Sequence, residues 1–294
     1  GSIPRHQIPR QTLGEEVMSS YLLPEGNVQI SFSGGRTSGF MLHKILEANG
    51  DLPERCKVLF TNTGLEMPET LDFVQECSER WNVPITWLEY IRDEKGPSYR
   101  VVTRETASEN GQPFEQLLRF KKYMPSPMKR FCTTELKMFT IKRFIRRGCG
   151  WDRWTQAVGI RYDEPRRIRS TSKDKWDYWY PLAYNNITKE DVSEFWNKQK
   201  LAFDFDLQLP NYKGKTPSGN CDFCFLKSES TIAYMLREYP ERAKWWINIE
   251  KEINFPFRLD RDLTKMQDFL TRQGDWIFDD EAYLCQSDDG ECTG

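Results

Sequence analysis

Histidine is scarce in this 294-residue chain, which contains only His6 and His43. So few imidazoles argue against a histidine-rich metal site and against a serine–histidine catalytic triad. The sequence also lacks an excess of charge of one sign, with 42 basic and 44 acidic residues and a formal net charge of −2. A global field that would attract nucleic acid is therefore excluded, although local basic patches are not.

Long apolar runs are missing as well. The chain has no stretch of about 18 apolar residues, which a membrane-spanning helix would need. Its first ten residues, GSIPRHQIPR, lack the charged-then-apolar pattern of a signal peptide. We therefore expect a cytoplasmic protein with no membrane contact. In that compartment its eight cysteines are expected to be thiols or metal ligands rather than disulfides.

The first half of the chain alternates short apolar runs with stretches of helical spacing. Such alternation is typical of βαβ units and predicts an α/β fold, a parallel sheet with helices on both faces. Pro68 fits the first position of one of these helices. The predicted strands are 28–32, 57–64, 85–90 and 154–160, and the predicted helices are 38–49, 68–81 and 135–148.

The pattern changes after about residue 185. Thr188 precedes an acidic helix start and predicts an N-cap. Residues 201–220 are rich in proline and glycine and predict a loop, whereas 228–251 and about 262–272 have helical spacing. We expect an N-terminal extension, an α/β domain, and a mostly helical C-terminal region with an irregular tail, at residues 1–27, 28–200 and 201–294.

A glycine-rich loop, SFSGGRTSG at residues 31–39, directly follows the first predicted strand. Backbone N–H groups freed by Gly34 and Gly35 can converge on an anion at a helix N-terminus. The spacing matches neither the G-x-x-x-x-G-K-[ST] loop nor G-x-G-x-x-G. An ordinary turn between a strand and a helix would use the same residue types. Other segments of the chain are therefore needed to distinguish an anion-binding loop from such a turn. Further donors to an anion are the hydroxyls of Ser31, Ser33, Thr37 and Ser38 and the charge of Arg36.

The loop resembles the S-G-G-x-[DT]-S pyrophosphate loop of the PP-loop, or N-type, ATP pyrophosphatases. Three later segments are similar to the phosphoadenylylsulfate (PAPS) reductase family of that superfamily: FTNTGLEMPETLDFV, RFCTTELKM and GIRYDEPRRI. A fourth, GNCDFCFLKS, resembles a cysteine-pair segment of phage-encoded members. The resemblance spans roughly residues 28 to 250. It implies a Rossmann-like fold that binds ATP or another adenine nucleotide.

The resemblance also implies roles for charged residues beyond the loop. Arg161 would face the nucleotide together with Gly159, because planar guanidinium groups suit bidentate binding of phosphate or sulfate. Lys137 would serve the same anion and Arg36 the pyrophosphate, which makes Arg36, Lys137 and Arg161 the catalytic candidates. Arg166 joins the nucleotide site, whereas Arg169 is expected in a solvated turn.

The end of the second predicted strand carries further candidate ligands. Related enzymes hold adenine, ribose or Mg²⁺ at positions corresponding to Asn62, Thr63 and Glu66. The threonine could equally be a plain turn residue.

The cysteines allow several kinds of site. Cys221 and Cys224 form a C-x-x-C beside Gly219, a loop that can wrap zinc, hold an iron–sulfur cluster or act as a redox dithiol. The resemblance implies a [4Fe–4S] cluster on Cys132, Cys221, Cys224 and a tail cysteine, with Cys292 preferred to Cys285. Zinc is the alternative, because four thiolates suit it equally. Cys56 and Cys77 are expected to be core or surface thiols, and Cys149 is expected to be structural.

Two mechanisms fit the resemblance. In one, ATP is cleaved between its α and β phosphates, AMP activates an acceptor oxygen, and a sulfur or nitrogen nucleophile displaces it, with a sulfur donor protein as a potential partner. In the other, a cysteine thiolate attacks a sulfonucleotide and sulfite is released. A non-catalytic phage factor that binds or sequesters an adenine nucleotide is the alternative from another class.

Nucleic acid as a substrate is not indicated by the sequence. The basic segment 119–130, with Phe120 and Tyr123, could touch a polynucleotide backbone, but a solvated flap over the active site is the preferred interpretation. The aromatic clusters at 178–180 and 245–246 are expected to serve core packing.

Overall fold

The computed structural model describes residues 21–169, 176–203, 219–256 and 262–273. In these ranges the chain forms a six-stranded sheet with the strand order β4-β3-β2-β1-β5-β6. Neighbouring strands are parallel except for the antiparallel pair of β3 and β4. The expected Rossmann-like fold is therefore confirmed. The strands are β1 (Val28–Ser31), β2 (Cys56–Asn62), β3 (Ile85–Asp93), β4 (Gly96–Val102), β5 (Trp154–Ala157) and β6 (Trp176–Trp179).

Helices connect and cover these strands. One helix, α4, is mixed and consists of π-helix Thr133–Phe139, α-helix Thr140–Arg143 and π-helix Phe144–Gly148. Within the described ranges, none of the helices is long and apolar enough to cross a membrane. The others are α1 (Arg36–Asn49), α2 (Pro68–Arg80), α3 (Gln112–Lys121), α5 (Pro181–Tyr184), α6 (Lys189–Phe203), α7 (Glu229–Glu238), α8 (Pro240–Ile253) and α9 (Leu263–Gln273).

Both faces of the sheet are buried by helices. On one face, Phe40 of α1, Phe73 of α2 and Trp196 of α6 belong to one apolar cluster with the strands. On the other face, Ile141 and Ile145 of α4 pack in a cluster with residues of β2, β3, β5 and β6. The C-terminal helices α7 to α9 share a further cluster with α3 and with the segment after β2. This cluster attaches the C-terminal region to one end of the sheet.

The strand order places a topological switch point between β1 and β5. From β1 the chain builds outward through β2 and β3, and it then crosses to β5 on the other side of β1. The loops after β1 and β5 therefore leave the sheet in different directions and open a crevice, which is where open α/β sheets bind ligands. The glycine-rich loop and the Gly159–Arg161 segment border this crevice.

Several element boundaries differ from the prediction. The predicted helix 228–251 is two helices, because Pro240 lacks an N–H group and disfavours a helical residue before it. The strand predicted for 154–160 leaves the sheet after Ala157. The antiparallel strand β4 and helix α3 were not predicted, and α3 contains the first residues of the basic segment 119–130.

Other local predictions are confirmed. Thr188 caps α6: its hydroxyl and N–H both lie within hydrogen-bond distance of the Asp191 carboxylate, and the Asp191 N–H donates back to the Thr188 hydroxyl. The expected packing role of the aromatic clusters holds for Trp179, Tyr180 and Trp246, which are buried.

Candidate functional site

The glycine-rich loop has a conformation that its sequence makes accessible. Gly34 has φ +79°, and a Cβ atom there would lie 2.7 Å from Cγ2 of Thr70 on α2. Only glycine combines that dihedral angle with such a close approach. Gly35 is extended and caps the N-terminus of α1 without a side chain. The loop therefore delivers the chain to a helix N-terminus at the switch point.

Ser38 holds this loop together from the inside. Its buried hydroxyl accepts hydrogen bonds from the N–H and the hydroxyl of Ser33, both at 3.1 Å, and donates to the Gly35 carbonyl at 2.9 Å. The predicted ligand Ser38 thus supports the loop, and the half-buried Ser33 reaches the pocket beside it.

Arg161 joins the loop after β5 to the start of α1. Its guanidinium is buried, and Nη1 donates to the Thr37 hydroxyl at 3.3 Å while Nε donates to Asp163 at 2.9 Å. A Cβ on Gly159 would lie 3.5 Å from the Ser38 Cα, so the two loops are in close proximity. Three residues predicted from two motifs, Thr37 of the glycine-rich loop and Gly159 and Arg161 of the later segment, are therefore brought together.

The more distant arginines lie apart from this contact. Arg166 is exposed on the 3-10 turn Pro165–Arg167. Arg169 is exposed and its guanidinium donates to the Tyr178 hydroxyl at 3.3 Å, as expected for a solvated turn.

A pocket that is partly open to solvent runs from the loop along the sheet beneath α4. Ser31, Ser33 and Lys137 line it together with Trp154 and Trp176. The Ser31 hydroxyl accepts hydrogen bonds from the amides of Gln29 and Gln156, at 3.0 and 3.1 Å. Lys137, which is distant from the loop in sequence, thus shares a pocket with it.

Arg36 is held at the same helix start. Its side chain is half-buried, and its carbonyl accepts a hydrogen bond from the Trp196 indole at 2.8 Å. Trp196 also packs closely against α1, as shown by Gly39, where an added Cβ atom would lie 2.8 Å from the Trp196 ring. Helix α6 therefore fixes the position from which Arg36 extends.

At the end of β2, Asn62 is engaged by the protein itself. Its amide donates to Glu89 at 2.6 Å and to the Ser108 carbonyl at 2.8 Å, and its oxygen accepts from the Gly64 N–H at 3.0 Å. Thr63 donates its N–H and hydroxyl to one oxygen of Glu66, at 2.8 and 2.9 Å. These contacts shape the turn.

The other oxygen of Glu66, Oε1, is buried and has no hydrogen-bond partner among the described residues. Glu66 pairs with Cys221 in an isolated antiparallel bridge, and the Thr63 hydroxyl lies 3.4 Å from the Cys221 sulfur. Burial raises the pKa of the Cys221 thiol well above its usual value, and the charge of Glu66 adds to this, whereas Lys137 opposes it. Cys221 therefore lies at the same edge of the sheet as the loop's pocket.

A buried ion-pair network that sequence reasoning missed fixes this docking. Asp222 accepts from the Arg242 guanidinium at 2.8 Å and from the Trp246 indole at 2.6 Å, and its N–H donates to the Leu65 carbonyl at 2.8 Å. Arg242 also donates to the Glu66 carbonyl at 2.9 Å. The only sign of this network in the sequence is an acidic residue, Asp222, between two cysteines. The side chains that Asp222 contacts, those of Arg242 and Trp246, lie 20 and 24 residues further along the chain.

Comparison with known proteins agrees with the motifs. The family model of the phosphoadenosine phosphosulfate reductase domain matches residues 27–201. The chain belongs to this family. The uncharacterized nin region protein ORF290 of Escherichia phage lambda is 32% identical over 216 residues, covering 71% of this chain and 69% of that protein. The PAPS reductase resemblance and its phage-encoded type are thereby confirmed.

Two solved structures are more distant. The phosphate complex of PAPS reductase from Candida auris is 14% identical, covers 60% of this chain and 73% of its own, and has a TM-score of 0.37. The U34-tRNA thiolase NcsA from Methanococcus maripaludis, solved with its [4Fe-4S] cluster, is 13% identical, covers 87% of each chain and has a TM-score of 0.40. Neither likeness carries a ligand or an activity over to this family member.

The cysteines of this PAPS reductase family chain fall into two groups. Cys221 and Cys224 share a tight turn, in which the Cys224 N–H donates to the Cys221 carbonyl at 3.2 Å, and such a turn fits a chelating pair. Cys132, at the start of α4, packs on the same apolar cluster as Cys221. Across the described ranges, no three Cys, His, Asp or Glu side chains form a metal-binding group. Cys285 and Cys292 lie outside the described residues.

The remaining cysteines fit their predicted roles. Cys56 and Cys77 are buried in the core, and burial raises the pKa of the Cys56 thiol to about 12. Cys149 is partly buried after α4, and burial raises its pKa as well.

Proposed function

We propose that this PAPS reductase family protein binds an adenine nucleotide at the switch point between β1 and β5 and couples it to sulfur chemistry. The observation that supports the site most directly is the hydrogen bond between Arg161 Nη1 and the Thr37 hydroxyl. This hydrogen bond holds a guanidinium against a helix N-terminus. Guanidinium groups and helix N-termini both bind phosphate or sulfate favourably. The Cys221 thiol at the adjoining strand end supports the link to sulfur.

The first candidate reaction is ATP-dependent sulfur transfer. ATP is cleaved between its α and β phosphates, AMP is joined to an acceptor oxygen, and pyrophosphate leaves. A sulfur nucleophile then displaces AMP. In this reaction the loop N–H groups, Arg36 and Arg161 stabilise the charge on the leaving pyrophosphate, and Lys137 extends from α4 to bind the same anion.

The second candidate, which the family membership favours, is reduction of a sulfonucleotide. A cysteine thiolate takes the sulfo group and the nucleotide leaves. A second thiol then displaces sulfite and forms a disulfide. The attacking thiolate would come from whichever tail cysteine, Cys285 or Cys292, does not bind the metal. Here Arg161 and the loop bind the nucleotide's phosphates without breaking them.

The proposed metal centre is a [4Fe–4S] cluster on Cys132, Cys221, Cys224 and Cys292, with zinc as the alternative. The C-x-x-C turn supports a chelating pair, and Cys132 supports a third ligand because it packs on the same cluster. When bound, an iron–sulfur cluster supplies electron transfer. Mg²⁺ would bind with the nucleotide's phosphates, near Glu66.

Calorimetric titration with ATP and with a sulfonucleotide tests the nucleotide site. Gly35 has an extended backbone that valine also adopts, so Gly35→Val should fold but place a side chain where the phosphate approaches. We expect binding to be lost in this variant while its circular dichroism is unchanged. Unchanged affinity in the folded variant would refute the site.

The products distinguish the reactions. Formation of AMP and pyrophosphate identifies the first, and release of sulfite identifies the second. Nucleotide binding with neither product identifies the non-catalytic alternative.

Metal content tests the centre separately. The protein is purified anaerobically, and iron, sulfide and zinc are measured in Cys221→Ser, Cys285→Ser and Cys292→Ser, with Cys56→Ser as the control. Loss of metal from Cys221→Ser and from one tail variant is expected. Full metal content in both tail variants would exclude the tail as a ligand.

A further inference from the structure

Basic charge is concentrated in one part of the chain. Residues 119–147 contain ten Lys and Arg residues and one acidic residue, Glu135. The remainder of the chain contains 32 basic and 43 acidic residues, so a segment with net charge +9 sits in a molecule that is otherwise net −11. Such segregation is the electrostatic footprint of a polyanion-binding surface.

The fold joins the two helical parts of this segment through an ion-pair contact. Its single acid, Glu135, pairs with Lys121 at the end of α3 at 3.3 Å and with Arg143 on α4 at 3.4 Å, so the two basic helices adjoin. The outer side of α4 borders a groove with about 770 Å³ of empty volume, lined by Phe139, Lys142, Arg143, Arg146 and Arg147.

The cations of this groove are only partly neutralised. Arg146 pairs with Asp152 at 3.1 Å, but Lys142 and Arg147 have no acidic partner within 4 Å among the described residues. One nitrogen of Arg143, Nη1, is buried without a hydrogen-bond partner in the same part of the structure. Lys142 and Arg147 therefore offer charges to an anionic ligand in the groove.

Exposed aromatic rings lie beside other cations of the same segment, and the Arg92 guanidinium covers one face of the Phe120 ring, 3.4 Å from its centroid. Phe120 is 50% exposed and Tyr123 is 39% exposed. The Lys121 ammonium lies 5.8 Å from the Phe120 ring, and the Lys129 ammonium lies 5.8 Å from the Tyr123 ring. Aromatic faces beside backbone-binding cations are what single-stranded nucleic acids require, because unpaired bases stack on such rings.

We propose that the basic face, formed by residues 119–131 and the outer side of α4, binds single-stranded nucleic acid. The cations bind the phosphates and the exposed rings stack with bases. A duplex offers no free base to these rings, and an anionic membrane surface would not need them. Lys142 lines both the groove and the pocket that contains Ser33, so a bound strand would pass beside the nucleotide site. The proposal does not depend on the nucleotide chemistry.

The test is fluorescence anisotropy of labelled 30-nucleotide single strands, DNA and RNA, at several salt concentrations. The variant combines Lys122→Gln, Lys129→Gln and Arg147→Gln, three exposed residues outside the nucleotide pocket. We expect affinity at physiological salt to fall at least about tenfold, and the slope of log affinity against log salt to flatten by about 2, or 0.7 for each lost phosphate contact.

The matched control changes the net charge equally elsewhere, with Lys44→Gln, Lys198→Gln and Lys244→Gln, and it should bind like the unchanged protein. For the rings, Phe120→Ala should weaken binding, whereas Phe255→Ala, at a ring 39% exposed on another part of the chain, should not.

Four outcomes would overturn the proposal. The unchanged protein could fail to bind single strands, the charge control could lose as much affinity as the variant, or duplex could bind as tightly as single strand with no effect of Phe120→Ala. The fourth is binding to phosphatidylserine vesicles in preference to the oligonucleotides, which would identify a membrane surface instead.

Discussion

Individual glycines of the candidate site differ in how much the fold depends on them. Gly34 combines φ +79° with packing against Thr70, whereas Gly159 lacks a left-handed backbone and has room for ordinary contacts. Both glycines belong to the same candidate site. Comparing the same substitution at the two positions therefore distinguishes a steric need for glycine from a general preference for glycine in this site.

Gly34→Ala should destabilise the protein by roughly 2–4 kcal/mol, because the new methyl group adds overpacking to a left-handed strain. Gly159→Ala, whose Cβ would lie 3.5 Å from its nearest neighbour, should change the free energy of unfolding by less than about 1 kcal/mol. Urea denaturation of both variants measures the difference. If both variants lost the same free energy of unfolding, the close approach of residue 34 to Thr70 would not be the cause of the destabilisation.

Arg161 gives the second prediction at this scale. Arg161→Lys keeps the charge but cannot hold Thr37 and Asp163 with a planar fork, so the nucleotide's dissociation constant should rise at least about tenfold. Arg169→Lys, at an exposed arginine of the following turn, is the control and should leave the constant unchanged. If Arg161→Lys binds the nucleotide as tightly as the unchanged protein while Arg161→Ala binds it weakly, Arg161 acts only as a diffuse charge.

At the scale of elements, the helical layer of α1, α2 and α6 has a titratable group inside it. His43 lies between Trp81 and Phe195, with ring centroids 5.3 and 4.9 Å away. Burial lowers the pKa of His43 below 6.5, and the neighbouring Glu47 opposes this only in part. The folded state therefore takes up this proton less readily than the unfolded state does.

The consequence is a loss of stability on acidification. The contribution of His43 to the free energy of unfolding is complete above pH 6.5. It falls as the pH drops below that value, because the unfolded state takes up the proton at a higher pH than the folded state does. His43→Phe keeps a ring in the layer and cannot titrate. Urea midpoints measured between pH 7.5 and pH 5 should therefore fall less steeply in His43→Phe than in the unchanged protein. Parallel profiles would contradict this account.

At the scale of the whole molecule, the Asp222 network attaches the C-terminal helices to the end of β2. Asp222 is buried and accepts hydrogen bonds from both Arg242 and Trp246 of α8. The same loop carries Cys221 to the edge of the nucleotide pocket. The position of the proposed sulfur chemistry therefore depends on an ion pair within the C-terminal region.

Asp222→Ala should cost about 2–3 kcal/mol, because it leaves the partly buried Arg242 guanidinium and the buried Trp246 indole N–H without their acceptor. Glu241→Ala, which removes an exposed ion pair with Lys244 on the same helix, should cost less than about 1 kcal/mol. Hydrogen exchange should increase in α7 and α8 of Asp222→Ala, with β1 to β3 still protected. Uniform loss of protection would mean that the two regions unfold as one unit.

The sequence by itself determined the local features of this protein. The alternation of strands and helices, the turn at residues 33–38 and the cap at Thr188 are encoded by neighbouring residues, so periodicity and turn chemistry suffice to predict them. The four motifs also sufficed to recognise the family.

Only the tertiary structure decided which of these features meet. The contact between Thr37 and Arg161 spans 124 residues, and that between Thr63 and Cys221 spans 158. Such contacts follow from the strand order and from helix packing, which local patterns do not specify. The same holds for Asn62, whose amide is engaged by Glu89 and Ser108 because buried polar groups must find partners within the fold.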